Sequence, residues 1–370
     1  MDHKAIPIWS WAGPTVAWIL VALGTGSTTM ALVAGAVLVL TVTAAVHHAE
    51  LVAHRVGEPF GTLILALSVT VIEVGLILSL MLAGKGDVST LARDTVFAAV
   101  MLILNALVGI CLLIGGLRHR EQGFVQEGVN AALAAIGTLT VLTLVLPNYT
   151  TSTPGPSYTE AQLAFVAIVS LILYGSFVAI QTVSHRDYFL PPVGSGRDAG
   201  VAGVAGGDSF EEDSAPKPTN RDTLIAFGLL LVSLGAVILL AKSLSPFIRT
   251  LVSGAPHPDQ VVGIAVAAIV LMPEGFAAVR AARANRIQSS LNLALGSALA
   301  TIGLTIPAVA AAAFMFNLPV SWGLDMKGVV LLGLTLLVST LSLGVGRTTV
   351  LQGVIHLVIF AVFLFLAIVP

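Results

Sequence analysis

Charge is scarce in this chain: 10% of its 370 residues are charged, while 56% are hydrophobic. A soluble fold of this length cannot bury that much apolar side chain, so a soluble globular protein is excluded and a polytopic membrane protein is expected. Cysteine is nearly absent, with Cys111 alone in an apolar run, so no disulfide framework exists within the chain. No block of Lys and Arg forms a phosphate-binding patch and the formal net charge is only -2, so no nucleic-acid partner is expected. The His-Glu-x-x-His pattern of helical zinc sites does not occur. Aromatic residues make up 6%, and Trp9 and Trp11 stand at the start of an apolar stretch as interface anchors do. Lys4 precedes that stretch without a small-residue cleavage pattern after it, which reads as a first transmembrane helix rather than a leader.

A helix needs about 20 apolar residues to cross hydrocarbon. Eleven runs approach or reach that length, at 8–24, 30–50, 61–83, 95–117, 129–147, 161–184, 223–243, 260–280, 288–316, 327–346 and 349–369. The first is short and holds Pro14; the ninth is long enough for Pro307 to kink or end it. The fold class is therefore all-α. With a cytoplasmic N-terminus, the cytoplasmic segments hold Lys4, Arg55, Arg118, Arg120, Arg186, Arg197, Lys217, Arg221, Arg280, Arg283, Arg286 and Arg347. The opposite side holds Lys85, Arg93, Lys242, Arg249 and Lys327. That asymmetry follows the positive-inside rule, so the expected placement is a cell (inner) membrane with the N-terminus cytoplasmic and the C-terminus periplasmic or extracellular.

Residues 186–222 form the one polar connection long enough to divide the chain. They are rich in Gly and Pro and carry Asp208, Glu211, Glu212 and Asp213; a solvated tether is the preferred reading over a cation sensor. Setting aside residues 1–29 and their single helix, the tether separates five spans in 30–185 from five in 223–370. An odd number per half orients the halves oppositely, which is the plan of an inverted repeat in secondary transporters.

Inside "LILALSVTVIEVGLILSLMLAG", residues 63–84, the one charge is Glu73. An ionised carboxylate near mid-bilayer costs roughly 2.5–3.5 kcal/mol even on the forgiving insertion scale. A protonated Glu acting as interhelical glue is the bland alternative, but intramembrane acids so regularly mark ion and proton paths that the functional reading is preferred. The later half holds a counterpart, Glu274, in "VVGIAVAAIVLMPEGFAAVRAAR". Pro273 before it removes a backbone donor and frees a carbonyl one turn earlier, and Gly275 after it permits close approach. An inverted repeat brings these two helices together near the midplane.

Each acid-bearing helix is followed by one with sparse polar groups. Asn105 is the lone amide of 95–117 and reads equally as ion ligand or interhelical hydrogen bond. In "SSLNLALGSALATIGLTIP", Asn292, Gly296, Ser297, Ala300 and Thr301 share a helical face, where Ser297 and Thr301 serve either the site or close helix packing. Thr70, one turn before Glu73, offers its hydroxyl to the cavity or to its own backbone. His47, Glu50 and His54 lie near one face at the cytoplasmic end of the second helix. They could hold a metal or pass protons, but the histidines read better as interfacial groups, with Glu50 a carboxylate at the cytoplasmic mouth. His356 reads as a packing residue.

Two carboxylates in one dry cavity cannot both stay ionised without a cation, because desolvation and mutual repulsion both penalise the charged form. Ca²⁺ seeks about six to eight oxygens, which two glutamates, an amide carbonyl, freed backbone carbonyls and water could supply. Protons and cation then exclude one another, the minimal chemistry of a cation/proton antiporter. No resident cofactor is implied, only transported Ca²⁺ (or Na⁺ or K⁺) and H⁺, with the lipid bilayer as the other partner.

The stretches "HAELVAHRVGEPFGTLILALSVTVIEVGLILSLMLAG" and "VVGIAVAAIVLMPEGFAAVRAARANRIQSSLNLALGSALATIGLTIP" resemble the two α-repeats of the cation/proton exchanger family, within the calcium:cation antiporter superfamily, and most closely its bacterial calcium/proton antiporters. The resemblance spans nearly the whole chain. It implies that Glu73 and Glu274 carry cation and protons, with Asn105 and Ser297 as the assisting polar residues of the following helices. Many relatives have Asn three residues before the acid, where Thr70 and Leu271 stand here, and the first repeat lacks the Gly-Ser that Gly296 and Ser297 retain. The resemblance therefore implies a Ca²⁺/H⁺ antiporter exporting calcium, with Na⁺(K⁺)/H⁺ exchange at the same site as the alternative. From another class, an intramembrane metalloenzyme would need a metal constellation that the His47, Glu50, His54 set only approaches.

Overall fold

Backbone groups in hydrocarbon must be paired within their own segment, so apolar runs fold as helices. The computed structural model describes residues 6–57, 60–83, 88–190, 218–252, 254 and 257–369. Among them are ten helices long and apolar enough to cross a membrane, plus the shorter α1 (Ile8–Leu23). The long ones are α2 (Thr28–Val56), α3 (Phe60–Ala83), α4 (Leu91–His119), α5 (Gln126–Tyr149), α6 (Glu160–Ser184), α7 (Asn220–Val252), α8 (Pro258–Arg283), α9 (Ile287–Phe316), α10 (Met326–Leu343) and α11 (Val350–Ile368). All eleven expected segments are thus present. Lys4, Lys85, Arg197, Lys217 and the acidic tract Asp208 to Asp213 lie outside the described residues.

Several bounds differ from the sequence expectation. Helix α2 continues beyond residue 50 to Val56, because the polar residues His47 to Arg55 extend the helix past hydrocarbon instead of ending it. Helix α7 runs through Pro246 to Val252. Pro307 does not end α9, which continues to Phe316 and closes on Asn317 in the left-handed conformation (φ 50°). At 29, 33 and 30 residues, α2, α7 and α9 exceed what one crossing needs, so they tilt or project. Helix α4 contains a π segment, Leu102–Leu107, which widens the turn around Asn105.

Helix α4 is the most enclosed span, with 72% of its apolar window buried against 28% for α11 at the lipid-facing edge. Glycines set its close contacts. A Cβ at Gly353 of α11 would sit 2.5 Å from the Leu113 backbone nitrogen, and one at Gly263 of α8 would sit 2.9 Å from the Asp94 backbone. Helix α2 packs along α7, α4 along α11, and α9 along α6, where Gly303 meets the Tyr174 ring. The short α1 lies on α2 and α7: buried His48 hydrogen-bonds the Ser10 carbonyl (3.0 Å), and the Trp18 indole donates to the Val232 carbonyl (3.2 Å). Two-residue strands β1 (Gln122–Gly123) and β2 (Arg347–Thr348) pair antiparallel and tie the connection after α4 to the one before α11.

Candidate functional site

The fold brings α3, α8 and α9 together around two carboxylates. Glu73 sits midway along α3 and is 2% exposed; Glu274 follows Pro273 in α8 and is half-buried. Pro273 leaves α8 continuous, but its ring removes the N–H that would bond the Ile269 carbonyl. Gly275 faces the side chain of Leu107 at 3.8 Å, not another backbone.

Helix α9 links the two acids. Ser297 donates its hydroxyl to Glu274 Oε2 (3.3 Å) and Thr305 donates to Glu73 Oε2 (2.9 Å). Thr301, between them, lies within electrostatic reach of Glu73. Successive steps of four residues keep the three hydroxyls on one face of the helix. Glu274 lies within electrostatic reach of Glu73, and Glu50, exposed near the end of α2, within reach of Glu274. Glu73 Oε1 is buried without a hydrogen-bond partner. A carboxylate oxygen in that condition calls for a proton or a cation beside it. The carboxylate and hydroxyl oxygens gathered here are hard donors suited to a hard cation.

Of the residues singled out from sequence, the structure thus gathers Glu73, Glu274, Ser297 and Thr301, with Glu50 leading toward them. Neither Asn105 nor Thr70 is hydrogen-bonded to a glutamate. The Asn105 amide, within the π segment, donates to Thr335 Oγ1 of α10 (2.9 Å) and lies against Met101 Sδ (3.7 Å). Of its two readings the interhelical bond is formed through the amide nitrogen, while Asn105 Oδ1 is buried with no hydrogen-bond partner among the described residues. Thr70 donates to the Ala66 carbonyl one turn back (2.8 Å), its local alternative. Asn292 holds the N-terminal end of α9, receiving a bond from Gln288 (3.0 Å) and donating to the Phe189 carbonyl (2.6 Å).

His47 stacks near Trp9, with ring centroids 5.2 Å apart, as an interfacial residue does. Among the described residues no group of three or more His, Cys, Asp or Glu side chains is placed to hold a metal, so the His47, Glu50, His54 set forms no such centre. His356 is buried and shares a 2.8 Å hydrogen bond with the Ser342 hydroxyl. Thr305 was missed from sequence. It continues the Ser297, Thr301 ladder by one more turn, but Pro307 two residues on made that turn look like a helix end.

The sodium/calcium exchanger protein family matches residues 26–183 and 225–369, two blocks on either side of the acidic tether. The chain belongs to this family. It is a cation/proton exchanger of the calcium:cation antiporter group, a multi-pass membrane transporter and not an enzyme. The exchanger is 45% identical to the putative ionic transporter y4hA of Sinorhizobium fredii (strain NBRC 101917 / NGR234), over 99% of this chain and 97% of that one. It is 35% identical to the sodium-potassium/proton antiporter ChaA of Escherichia coli (strain K12), over 86% and 83% of the two chains. Its fold is similar to that of the Ca²⁺/H⁺ antiporter protein YfkE, with a TM-score of 0.68 at 15% identity, covering 98% of this chain and 99% of that one.

Separate roles for Thr305 and Asn105 give opposite expected outcomes. A hydrogen bond to a charged group contributes about 1.5–3 kcal/mol. Thr305→Val keeps shape but removes the donor to ionised Glu73, so the apparent cation Kd should rise about ten-fold or more. Asn105→Leu should leave that Kd unchanged and lower the melting temperature, since it breaks the bond to Thr335. Cation titrations and thermal melts of both variants check this; equal affinity loss in both would return Asn105 to the site.

Proposed function

We propose that the exchanger carries Ca²⁺ out of the cytoplasm against proton influx, with Glu73 and Glu274 holding either two protons or one divalent cation. The observation that carries the reading is α9, which hydrogen-bonds both carboxylates through Ser297 and Thr305 and so makes them parts of one site. Two carboxylates neutralise one divalent ion, and the hydroxyls, freed carbonyls and water complete its oxygen shell. Without the ion, protons must replace it.

Each half, 30–185 and 223–370, forms a five-helix repeat, the two oppositely oriented. In support, α4, the third helix of the first half, packs on α11, the fifth of the second, just as α9 packs on α6. Among the described residues Arg55, Arg118, Arg120, Arg221, Arg280, Arg283, Arg286 and Arg347 fall toward one face, and we assign that face to the cytoplasm. Exposure falls from Glu50 through Glu274 to Glu73, which reads as a path open from that face. Alternating access then closes this path and opens one from the other side.

A second reading, Na⁺ or K⁺ exchange at the same site, is favoured by two observations. Among the described residues no side-chain amide is hydrogen-bonded to either glutamate, and the relative ChaA is named a sodium-potassium/proton antiporter. Everted vesicles loaded with acid decide between them. Ca²⁺ at micromolar concentration should release protons from the lumen while Na⁺ and K⁺ at millimolar concentration do so weakly; the reverse order would replace calcium as the substrate.

A further inference from the structure

One sector of the exchanger carries positive charge that the cation site does not use. At the end of α4, the His119 ring hydrogen-bonds the Arg283 carbonyl (3.1 Å). Gln122 in β1 donates to Asn285 Oδ1 (2.9 Å) and the Ala282 carbonyl (3.2 Å) at the end of α8. Gly123 pairs with Arg347 across β1 and β2. These bonds gather Arg118, Arg120, Arg283, Arg286 and Arg347 at one end of the bundle, with Arg280 one turn inward, and all six are exposed.

Among the described residues, only Arg347 of these six has a carboxylate within ion-pair range, Glu121 at 3.9 Å, with both side chains largely in solvent. Glu127 in the first turn of α5, and Asp187 beside Tyr188, whose carbonyl packs on Gly128, are further acids at this end. Three cations elsewhere are engaged: Arg93 grips Asp94 at 2.8 Å, Lys327 lies 3.7 Å from Asp325, and Arg55 donates to Asn220. A topological role explains why the arginines lie on one side of the membrane. It does not explain why they converge on a single sector with one carboxylate in ion-pair range.

The sector also borders lipid. Leu117, just before Arg118, is 70% exposed, and Leu351, four residues after Arg347, is 67% exposed. Gly116 packs against Val350, so these two leucines flank one seam between α4 and α11. Exposed leucines on membrane helices face acyl chains, which puts the arginines beside them at headgroup level. Helix α9 begins at Ile287 beside Arg286, and its free N–H groups add positive potential at the same place.

We propose that this sector binds the phosphate headgroups of anionic phospholipids. Guanidinium groups match phosphate oxygens bidentately, and each basic residue near a charged surface raises binding roughly five-fold. The leucine-lined seam accepts the acyl chains while the arginines hold the phosphate.

The test uses the full-length protein and does not depend on transport. Native mass spectrometry and thermal melts are run with phosphatidylglycerol, phosphatidylcholine or inorganic phosphate added. Phosphatidylglycerol should be retained about ten-fold or more over phosphatidylcholine and raise the melting temperature, while inorganic phosphate should not. The triple variant R118Q/R283Q/R286Q should lose that preference, and R118K/R283K/R286K should keep most of it. Equal retention of both lipids, an undiminished preference in the glutamine variant, or a full melting shift from inorganic phosphate would each overturn the proposal.

Discussion

Glu73→Gln and Glu274→Gln should each abolish cation-driven proton release in everted vesicles, lowering the rate by more than about 100-fold. The side chain keeps its size and an acceptor for Thr305 or Ser297, so the fold should survive. What is lost is the charge. With one carboxylate left, a divalent ion in this cavity is under-neutralised, and breaking a buried charge pair costs about 3–5 kcal/mol. The same substitution also removes a proton-carrying group, so neither half of the cycle is compensated. Full transport by either variant, at wild-type protein levels, would sink the two-carboxylate site.

Acidification weakens cation binding, with a slope that counts the protons displaced. A metal ion needs its ligands deprotonated, so binding releases protons and low pH opposes it. The sign follows directly: lowering pH fills Glu73 and Glu274 with protons and raises the apparent cation Kd, while raising pH lowers it until both are ionised. Where both carboxyls are protonated before binding, a two-proton exchange raises the apparent Kd about 100-fold per pH unit and a one-proton exchange about ten-fold, by mass action. Equilibrium titration of the purified protein at several pH values reads this slope for Ca²⁺ and for Na⁺. A slope near two for Ca²⁺ supports divalent exchange. A pH-independent Kd would break the competition between proton and cation. In Glu274→Gln the slope for any residual binding should fall by one proton.

Much of the proposed site was legible because a membrane makes a lone charge conspicuous. Glu73 in α3 and Glu274 beside Pro273 needed no partner to be noticed, since an acid in an apolar run must be neutralised by something. The helices were legible for a related reason: hydrocarbon forces each apolar run into the one conformation that pairs its own backbone. Hydroxyls and amides carry no such signal. Thr305, Thr70 and Asn105 are all affordable in a membrane helix through local or interhelical bonds, and composition does not say which bond each makes.

The sequence by itself determined a polytopic all-α membrane protein, its eleven helices, and the two intramembrane acids to which we assign cation and proton exchange. Each of these follows from interactions within one segment and its solvent. Only the tertiary structure decided that one face of α9 meets both acids, that Thr305 hydrogen-bonds Glu73 across 232 residues, and that Asn105 turns toward Thr335. Those outcomes depend on how each helix is rotated and on the π segment that shifts the phase of α4. Helix rotation is set by glycine contacts between segments far apart in the chain, which no local pattern encodes.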